Sequence, residues 1–449
     1  MYSYRLHTAF ECGGFMDKKK FMIVSYYGDS IDIARKINSL GHEVKFCIHD
    51  PEERDTGEIG YGFVEHIKDW KEYVDWADII IFDNVGFGKV AEELRAKGKK
   101  VVGGTVYTDR LEEDREFGQK ELERFGIPTL PNKKFDNFDD AISYIKNNPS
   151  RYVMKPSGDI TVQHIGLLFV GEEENGKDVM QMLLEYKKAW NHKIHSIQLQ
   201  KRVAGVEMAV GAFFNGKEFV YPINVNFEHK RFFAGDIGPT TGEMGTSMFW
   251  TRPNKIFNDT LKRMESRLAE AGYVGYFDLN CIVNEKGVYP LEFTSRFGYP
   301  TISIQQEGMM DTIDEFLYGL VTRQFTKFRV KKGFQVGVCI FVPPYPFNDK
   351  ELFEVKSRGA VIHFKKGMND SSIEGVHTIE VKKVNDEWIV SGTEGWPLIV
   401  CGSGVTIKQA QKQVYERVKN IMIPNMYYRI DIGDKWLSES KRLRTWGYL

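Results

Sequence analysis

Two short runs of alternating residues carry oxygen groups that can converge on a cation. Asp278 and Asn280 lie two apart in the strand-like run 275–283, and Glu292 and Thr294 lie two apart at the end of the run that begins at 287. Alternate residues of a strand share a face. The link Asn284-Glu285-Lys286 is short enough for a hairpin, so pairing of the two runs brings all four together. Hard cations such as Mg²⁺ take a few carboxylate oxygens along with phosphate and water. Arg296 continues the alternation and is placed to hold an anion. A solvated surface hairpin has the same spacing, and spacing alone leaves both readings open.

Two lysines upstream bear on the choice. Lys155 ends the apolar run Tyr152-Val153-Met154 and precedes Pro156-Ser157-Gly158-Asp159. A cation at a strand end before a small-residue turn suits a nucleotide phosphate. Lys120 falls in a helical stretch, 114–125, where a lone lysine is far more often a solvated charge than a ligand. The stretch 227–247 holds Gly235, Gly238, Gly242 and Gly245 among His229, Lys230, Arg231 and Asp236. It reads as a long structureless loop, and such loops in compact domains are functional or disordered. Its aromatics and Met244 argue against disorder, so a cover over a charged substrate is expected.

The positioning elements follow from periodicity. Apolar strand-length runs at 21–25, 44–48, 78–83 and 100–103 alternate with helical patterns at 30–40 and 88–97. That order predicts a parallel, doubly wound α/β domain over about 20–112. A second region, 113–328, opens with the 114–125 helix, stopped by Gly126 and Pro128. It continues with strands near 152–155, 195–200, 206–214 and 219–226, an amphipathic helix at 256–271, and the hairpin. A third region, 333–433, mixes strands with a helix at 406–421; a charged, aromatic tail, 434–449, follows. Residues 1–19 read as an unstructured extension, with Met16 as an alternative start.

Composition excludes several classes. The chain has 449 residues, 42% hydrophobic and 27% charged, with 61 Lys+Arg against 62 Asp+Glu and a net charge of −1. The usual basic excess of a nucleic-acid binder is missing. No run approaches the roughly 18 apolar residues of a membrane helix. Five scattered cysteines without CxxC spacing suit reduced thiols in a cytoplasmic protein rather than a disulfide framework or zinc site.

Taken together, these motifs resemble an ATP-grasp ligase of the phosphoribosylamine–glycine ligase family. The resemblance runs from Val101-Val102-Gly103-Gly104 through Asp114-Arg115-Glu116-Phe117-Gly118-Gln119-Lys120 and Gly126-Ile127-Pro128-Thr129, with Arg115 where the family has a lysine. Tyr152-Val153-Met154-Lys155 resembles the family's phosphate-lysine strand. Gln200, Lys201, Gly205 and Glu207 fall where the family places adenine and ribose contacts. Glu228-His229-Lys230-Arg231 and the run 235–245 resemble its signature loop. The run 291–300 resembles its metal-binding strand, and Tyr427-Tyr428-Arg429-Ile430-Asp431-Ile432-Gly433 its closing segment. Four stretches depart from the pattern. Pro156-Ser157-Gly158-Asp159-Ile160-Thr161-Val162-Gln163-His164 stands where the family has a glycine- and lysine-rich loop after the strand lysine. Tyr26-Tyr27-Gly28-Asp29-Ser30 is acidic where the family handles an amino-sugar phosphate, Thr294 replaces the metal asparagine, and Tyr299-Pro300-Thr301 replaces Asp-Pro-Glu.

The resemblance implies a Rossmann-like N-terminal domain, a two-lobe ATP-grasp core with a small lobe near 122–195, and a small mixed C-terminal domain. It implies ATP and Mg²⁺ (or Mn²⁺) as cofactors, with small-molecule carboxylate and amine substrates. ATP would phosphorylate the carboxylate and an amine would attack the acyl phosphate. In that scheme Glu292 is the main metal ligand, with Asp278 preferred to Asn280 as the second because it is anionic. Arg115, Lys120, Lys155, Lys230 and Arg231 hold the nucleotide. Arg296 stabilises the transferred charge, and Asp236 and His229 orient the substrate or the loop. Three outcomes are open: a ligase whose acceptor is not phosphoribosylamine, a genuine phosphoribosylamine–glycine ligase, or a nucleotide-binding protein without catalysis.

Overall fold

The structure is a computed structural model that describes residues 17–49, 58–158 and 167–449. The expected N-terminal extension up to Met16, Cys12 and the stretch Asp159–His164 after Lys155 lie outside the described residues.

Strands β1 (Lys20–Ser25), β2 (Glu43–Ile48), β3 (Glu65–His66), β4 (Ile79–Phe82) and β5 (Lys100–Val102) form a parallel sheet in the order β3-β2-β1-β4-β5. Phe21–Val24 and Ile79–Phe82 are apolar without alternation because both faces of this sheet are covered. From β1 the chain runs to β2 on one side and then crosses to β4 on the other. The carboxyl ends of β1 and β4 therefore flank the topological switch point.

A second sheet, antiparallel, takes the order β6-β9-β7-β8: β6 (Asn132–Phe135), β7 (Tyr152–Gly158), β8 (Phe169–Val170) and β9 (Ile194–Lys201). Helices Phe138–Asn147 and Lys177–Trp190 pack on it around Ile145, Met154, Leu183 and Leu199.

The largest sheet has eight antiparallel strands. Five come from the central region: β10 (Val206–Asn215), β11 (Phe219–Glu228), β14 (Gly245–Thr251), β15 (Val274–Asn284) and β16 (Gly287–Thr294). Between β11 and β14 lies a separate ribbon, β12 (Arg231–Phe233) paired with β13 (Ile237–Thr240). The sheet continues through β17 (Phe334–Ile340) into the third region. There, β18 (Val361–Phe364), β20 (Val381–Val384), β21 (Glu387–Val390) and β23 (Ile421–Met422) form a smaller sheet, while β19 (Val376–Thr378) and β22 (Leu398–Gly404) complete the large one.

Two local expectations are corrected, and the tail gains a structure. The stretch 227–247 is not a structureless loop: its ends extend β11 and β14, and its middle forms the β12–β13 ribbon. Gly235, at a φ of +79°, makes the ribbon's turn possible, and Asp236 beside it is also at positive φ (+56°). The expected helix at 256–271 is broken into Lys255–Asp259, a 3₁₀ turn at Leu261–Met264 and Glu265–Ala271. The tail folds as helix Asp434–Thr445. Its Trp436 ring lies 5.7 Å from Phe227, 5.0 Å from Phe249 and 4.9 Å from Phe334. Leu443 is fully buried in the same core as Phe277 and Phe293. Burial of such a side chain contributes about 1.5–3 kcal/mol, which docks this charged, aromatic segment.

Candidate active site

The hairpin forms as its spacing required. In β15–β16, Asp278 pairs with Thr294 and Asn280 with Glu292, so the four side chains stand on one face of the sheet. Leu291 is a bulge residue between the Asn280–Glu292 and Cys281–Pro290 pairs. The opposite face, with Phe277, Leu279, Cys281 and Phe293, is core. In β10, Gly211 lies opposite Asp278 and has no side chain to spare: a Cβ there would stand 2.2 Å from Tyr276 Oη and 2.7 Å from Asp278 Oδ2.

Glu228, at the end of β11, joins this face; the sequence reading placed it in the signature run but gave it no role. Its Oε2 lies 3.3 Å from Asn280 Nδ2 and 3.1 Å from Lys230 Nζ, while Lys230 Nζ is 3.3 Å from Glu292 Oε1. One ammonium thus bridges two carboxylates. Tyr276 and Asn226 donate to Asp278 Oδ2 at 2.8 and 3.2 Å. Burial, reinforced by Glu228, still pushes the Asp278 carboxyl up to about 8, and the same two causes raise Glu243 well above the carboxylate range. These acids line one cavity with Thr294, Arg296 and Tyr299. The signal that exposes Glu228 and Glu243 is their position two residues before Lys230 and two before Gly245, visible only once β11 and β14 are known to be neighbours.

On the other side of Glu292 lies a larger cleft of about 620 Å³ between the small lobe and the large sheet, within the usual range for a small-molecule site. Arg115, Lys155, Gln200, Glu207, Lys230, Arg231, Asp236 and Glu292 all line it. Burial, followed by the nearby Arg115 charge, lowers the Lys155 ammonium to about 8. For Glu292, burial is outweighed by Lys230 and Arg115, and its carboxyl sits below the ordinary value. Helix Asp434–Thr445 adds Lys435 and Arg442 to this cleft, two cations that sequence reasoning missed because the tail had no predicted contacts.

Arg296 lines both the acidic cavity and a smaller groove beside helix Arg115–Arg124. Its Nε donates to Glu112 Oε1 at 3.0 Å, and Ser295 N–H donates to Glu112 Oε2 at 2.7 Å. Burial opposes its charge, but Glu112 and Asp29 hold it protonated. Glu112 sits on helix Val106–Glu113, which starts at a Thr105 capping box that the sequence reading passed over.

Three expected site residues stand elsewhere. Lys120 projects from the exposed face of its helix and pairs with Glu116 at 2.6 Å, an i,i+4 pair of solvated charges, and lines neither cavity. Lys201 is exposed at the end of β9 and its backbone N–H donates to Pro131 O; the neighbouring Gln200 is the one that turns into the cleft. His229 is buried behind the ribbon, with Nε2 accepting the Gly433 N–H at 3.2 Å and Nδ1 3.0 Å from Arg429 Nη2. It packs against the Arg429–Asp236–Asp431 cluster and lines neither cavity.

Among the described residues no three His, Cys, Asp or Glu side chains are gathered as a ready-made metal cage. The residues nonetheless fit Mg²⁺, which is held by one or two carboxylates plus substrate phosphates. Asn280 Oδ1 is buried without a hydrogen-bond partner, it neighbours Glu292 and Glu228, and the crowded acids need positive charge.

Residues 113–302 match the family described as phosphoribosylglycinamide synthetase, ATP-grasp (A) domain. Phosphoribosylamine–glycine ligase of Listeria innocua is 26% identical over 357 residues, covering 77% of this chain and 81% of that protein. The Streptococcus suis protein of the same name is 25% identical over 359 residues, with the same shares. Among solved structures, phosphoribosylamine–glycine ligase from Thermotoga maritima matches with a TM-score of 0.65 at 20% identity, over 92% of this chain and 100% of that one. The biotin carboxylase domain of Hydrogenobacter thermophilus 2-oxoglutarate carboxylase, solved with MgADP and bicarbonate, matches with a TM-score of 0.59 at 13% identity, over 95% and 97%. The structural matches speak to the fold: a Rossmann-like sheet, a two-lobe ATP-grasp core and a mixed C-terminal part. With the sequence matches, the chain is an ATP-dependent carbon–nitrogen ligase of the ATP-grasp class, resembling phosphoribosylamine–glycine ligase. Among the described residues no helix is long and apolar enough to cross a membrane, and Cys47, Cys281, Cys339 and Cys401 are free and buried.

Proposed function

We propose that this chain uses ATP to join a carboxylate to an amine through an acyl phosphate, and that its acceptor is not phosphoribosylamine. The observation that carries the reading is the placement of Glu292 on the wall between two chambers, one lined by cations and one by acids and Arg296. A nucleotide fits the first. Gln200 in its lining is a neutral hydrogen-bonding group suited to a base, and Glu207 is suited to ribose hydroxyls. Lys155, Arg115 and Lys230 face the polyphosphate. Glu292, Glu228 and Asn280 would hold Mg²⁺, which when bound neutralises charge shared between the phosphates and the incoming carboxylate.

In the chemical step a carboxylate oxygen attacks the γ-phosphorus, and the bond from γ-phosphorus to the bridging oxygen breaks to release ADP. The amine nitrogen then attacks the acyl carbon, the carbon–oxygen bond to phosphate breaks, and the nitrogen loses a proton. Arg296, held in place by Glu112, is positioned to stabilise the oxygen charge that develops on the acyl group. Loss of one such donor costs about 3–4 kcal/mol in the transition state.

The test measures ADP release with candidate carboxylates, using hydroxylamine to trap the acyl phosphate as a hydroxamate. Lys155→Ala and Glu292→Ala are expected to abolish turnover; unchanged turnover in either overturns the assignment. The names of the similar ligases favour a second reading, a genuine phosphoribosylamine–glycine ligase. ADP release that depends on glycine and phosphoribosylamine together would establish it in place of the first.

A further inference from the structure

The helix Asp434–Thr445 borders the nucleotide cleft and has no part in the chemistry above. Resting on the ligase reading, we infer that Lys435, in the first turn of this helix, is a nucleotide-binding residue whose ammonium group holds the outer phosphates of ATP.

Four observations support this. First, Lys435 and Arg442 both line the cleft of about 620 Å³. They lie seven residues apart, two helical turns, and so share a face. Trp436 and Leu443, also seven apart, hold the adjacent face against the core, which fixes the direction of the cationic one. Second, Lys435 stands at the reacting end of the cleft. Its Nζ donates to Glu228 O at 2.6 Å and lies 3.7 Å from Asp236 Oδ2. The Glu228 side chain is the one that meets Lys230 and Asn280. Third, Lys435 has donors to spare. An ammonium carries three N–H groups. Among the described residues its hydrogen-bond acceptor is Glu228 O, and the Asp236 contact is longer than a hydrogen bond. Neighbouring cations are more fully engaged: Arg442 donates to Glu439 at 2.8 Å and lies 4.9 Å from the Trp446 ring centre, and Arg202 pairs with Glu172 at 2.6 Å. Fourth, the helix gives no reason of its own for a lysine at this position. Its first turn is the positive end of the helix dipole, which favours an acid such as Asp434 and disfavours a cation. A phosphate beside that turn reconciles the two, since its oxygens accept from the free N–H groups and its charge suits the dipole.

The experiment is calorimetric titration of the full chain with MgATP over a series of NaCl concentrations, on the wild type, Lys435→Met and Lys441→Met. Lys441 is exposed on the same helix and does not line the cleft, so its variant controls for the loss of a distant charge. Lys435→Met is expected to bind ATP about tenfold more weakly or worse, the effect of losing a charged hydrogen bond. Its affinity should also fall less steeply with salt, because one fewer cation faces the phosphates. Lys441→Met should keep both the affinity and the salt dependence of the wild type. A lysine that merely steadied Glu228 would lower affinity and leave the salt dependence as it was. Unchanged ATP affinity in Lys435→Met, a loss with the wild-type salt dependence, or an equal loss in Lys441→Met overturns the inference. Scanning calorimetry without nucleotide reports whether each variant is folded; if Lys435→Met is not, Lys435→Gln decides. ATP binding that is lost in Lys155→Ala and kept in Lys435→Met refutes this inference alone, whereas a wild type that binds no ATP refutes the ligase reading.

Discussion

Replacement of Arg429 by Gln tests how the ribbon over the nucleotide cleft is held. The Arg429 side chain is 1% exposed. It donates to Asp431 through Nε (2.8 Å) and Nη2 (2.7 Å), to Asp236 Oδ1 at 2.9 Å and to Arg231 O at 2.7 Å. Two of these partners, Arg231 and Asp236, belong to the ribbon and line the cleft. Breaking a buried ion pair costs about 3–5 kcal/mol because a charge is left without a partner. Asp236 is 43% exposed, so water screens its share, and the lower end of that range applies. The expected loss is about 3 kcal/mol, a drop in Tm of roughly 6–12 °C for a unit of 150–250 residues. Scanning calorimetry reads the stability, and ATP titration is expected to show at least tenfold weaker binding. The loss also has a pH signature. Asp236 is held well below the usual range by its contact with His229 (3.8 Å), then by Lys435 and Arg429; for Asp431, Arg429 outweighs burial. Groups with depressed pKa values contribute stability that is present above the unfolded value of about 3.9 and lost as pH falls through the folded value. The wild type should therefore lose more stability than Arg429→Gln on acidification below about pH 4. A Tm drop under about 2 °C with unchanged ATP affinity would refute the clamp, since that is less than 1 kcal/mol at this size.

Other perturbations follow from the same geometry. With the Lys155 pKa lowered to about 8, its charge is present below that pH and lost above it. ATP binding to the free protein should weaken as pH rises through 8, and Lys155→Met should flatten that dependence in a calorimetric series. Lys120→Ala should leave the KM for ATP within twofold, because the side chain lies in a solvated pair with Glu116; a tenfold rise would return it to the site. Gly211→Ala should cost about 1–3 kcal/mol in urea denaturation and weaken metal-dependent ADP release, because the added methyl collides with Tyr276 and Asp278.

Sequence patterns resolved those features that depend on local periodicity. The parallel sheet and the hairpin that gathers Asp278, Asn280, Glu292 and Thr294 each follow from a run of residues read in isolation. What depended on distant contacts stayed hidden. Glu228 and Glu243 join the acidic cavity only because β11 lies beside β10 and β14, pairings that no short window encodes. Residues 227–247 read as a loop because their glycines mask two three- and four-residue strands. His229 looked available for chemistry because nothing nearby in sequence buries it; the groups that do, Arg429 and Gly433, lie about 200 residues away. Lys435 and Arg442 were lost for the same reason, on a helix whose docking depends on Trp436 and Leu443.

The eight-stranded sheet has a bearing on how this chain can be divided. β14 and β17 are joined through five residue pairs, Gly245–Val338 to Phe249–Phe334, so the third region is stitched into the ligase core. A fragment ending near 328 would bare the hydrogen-bonding edge of β14, with Met248, Phe249 and Trp250 along it. An apolar edge of that kind pairs readily with other chains, and the truncated protein would self-associate. The third region alone would present the complementary edge of β17, Val336 and Val338 included. The two are thus obligate folding partners: each protects the other from aggregation, whatever either contributes to catalysis.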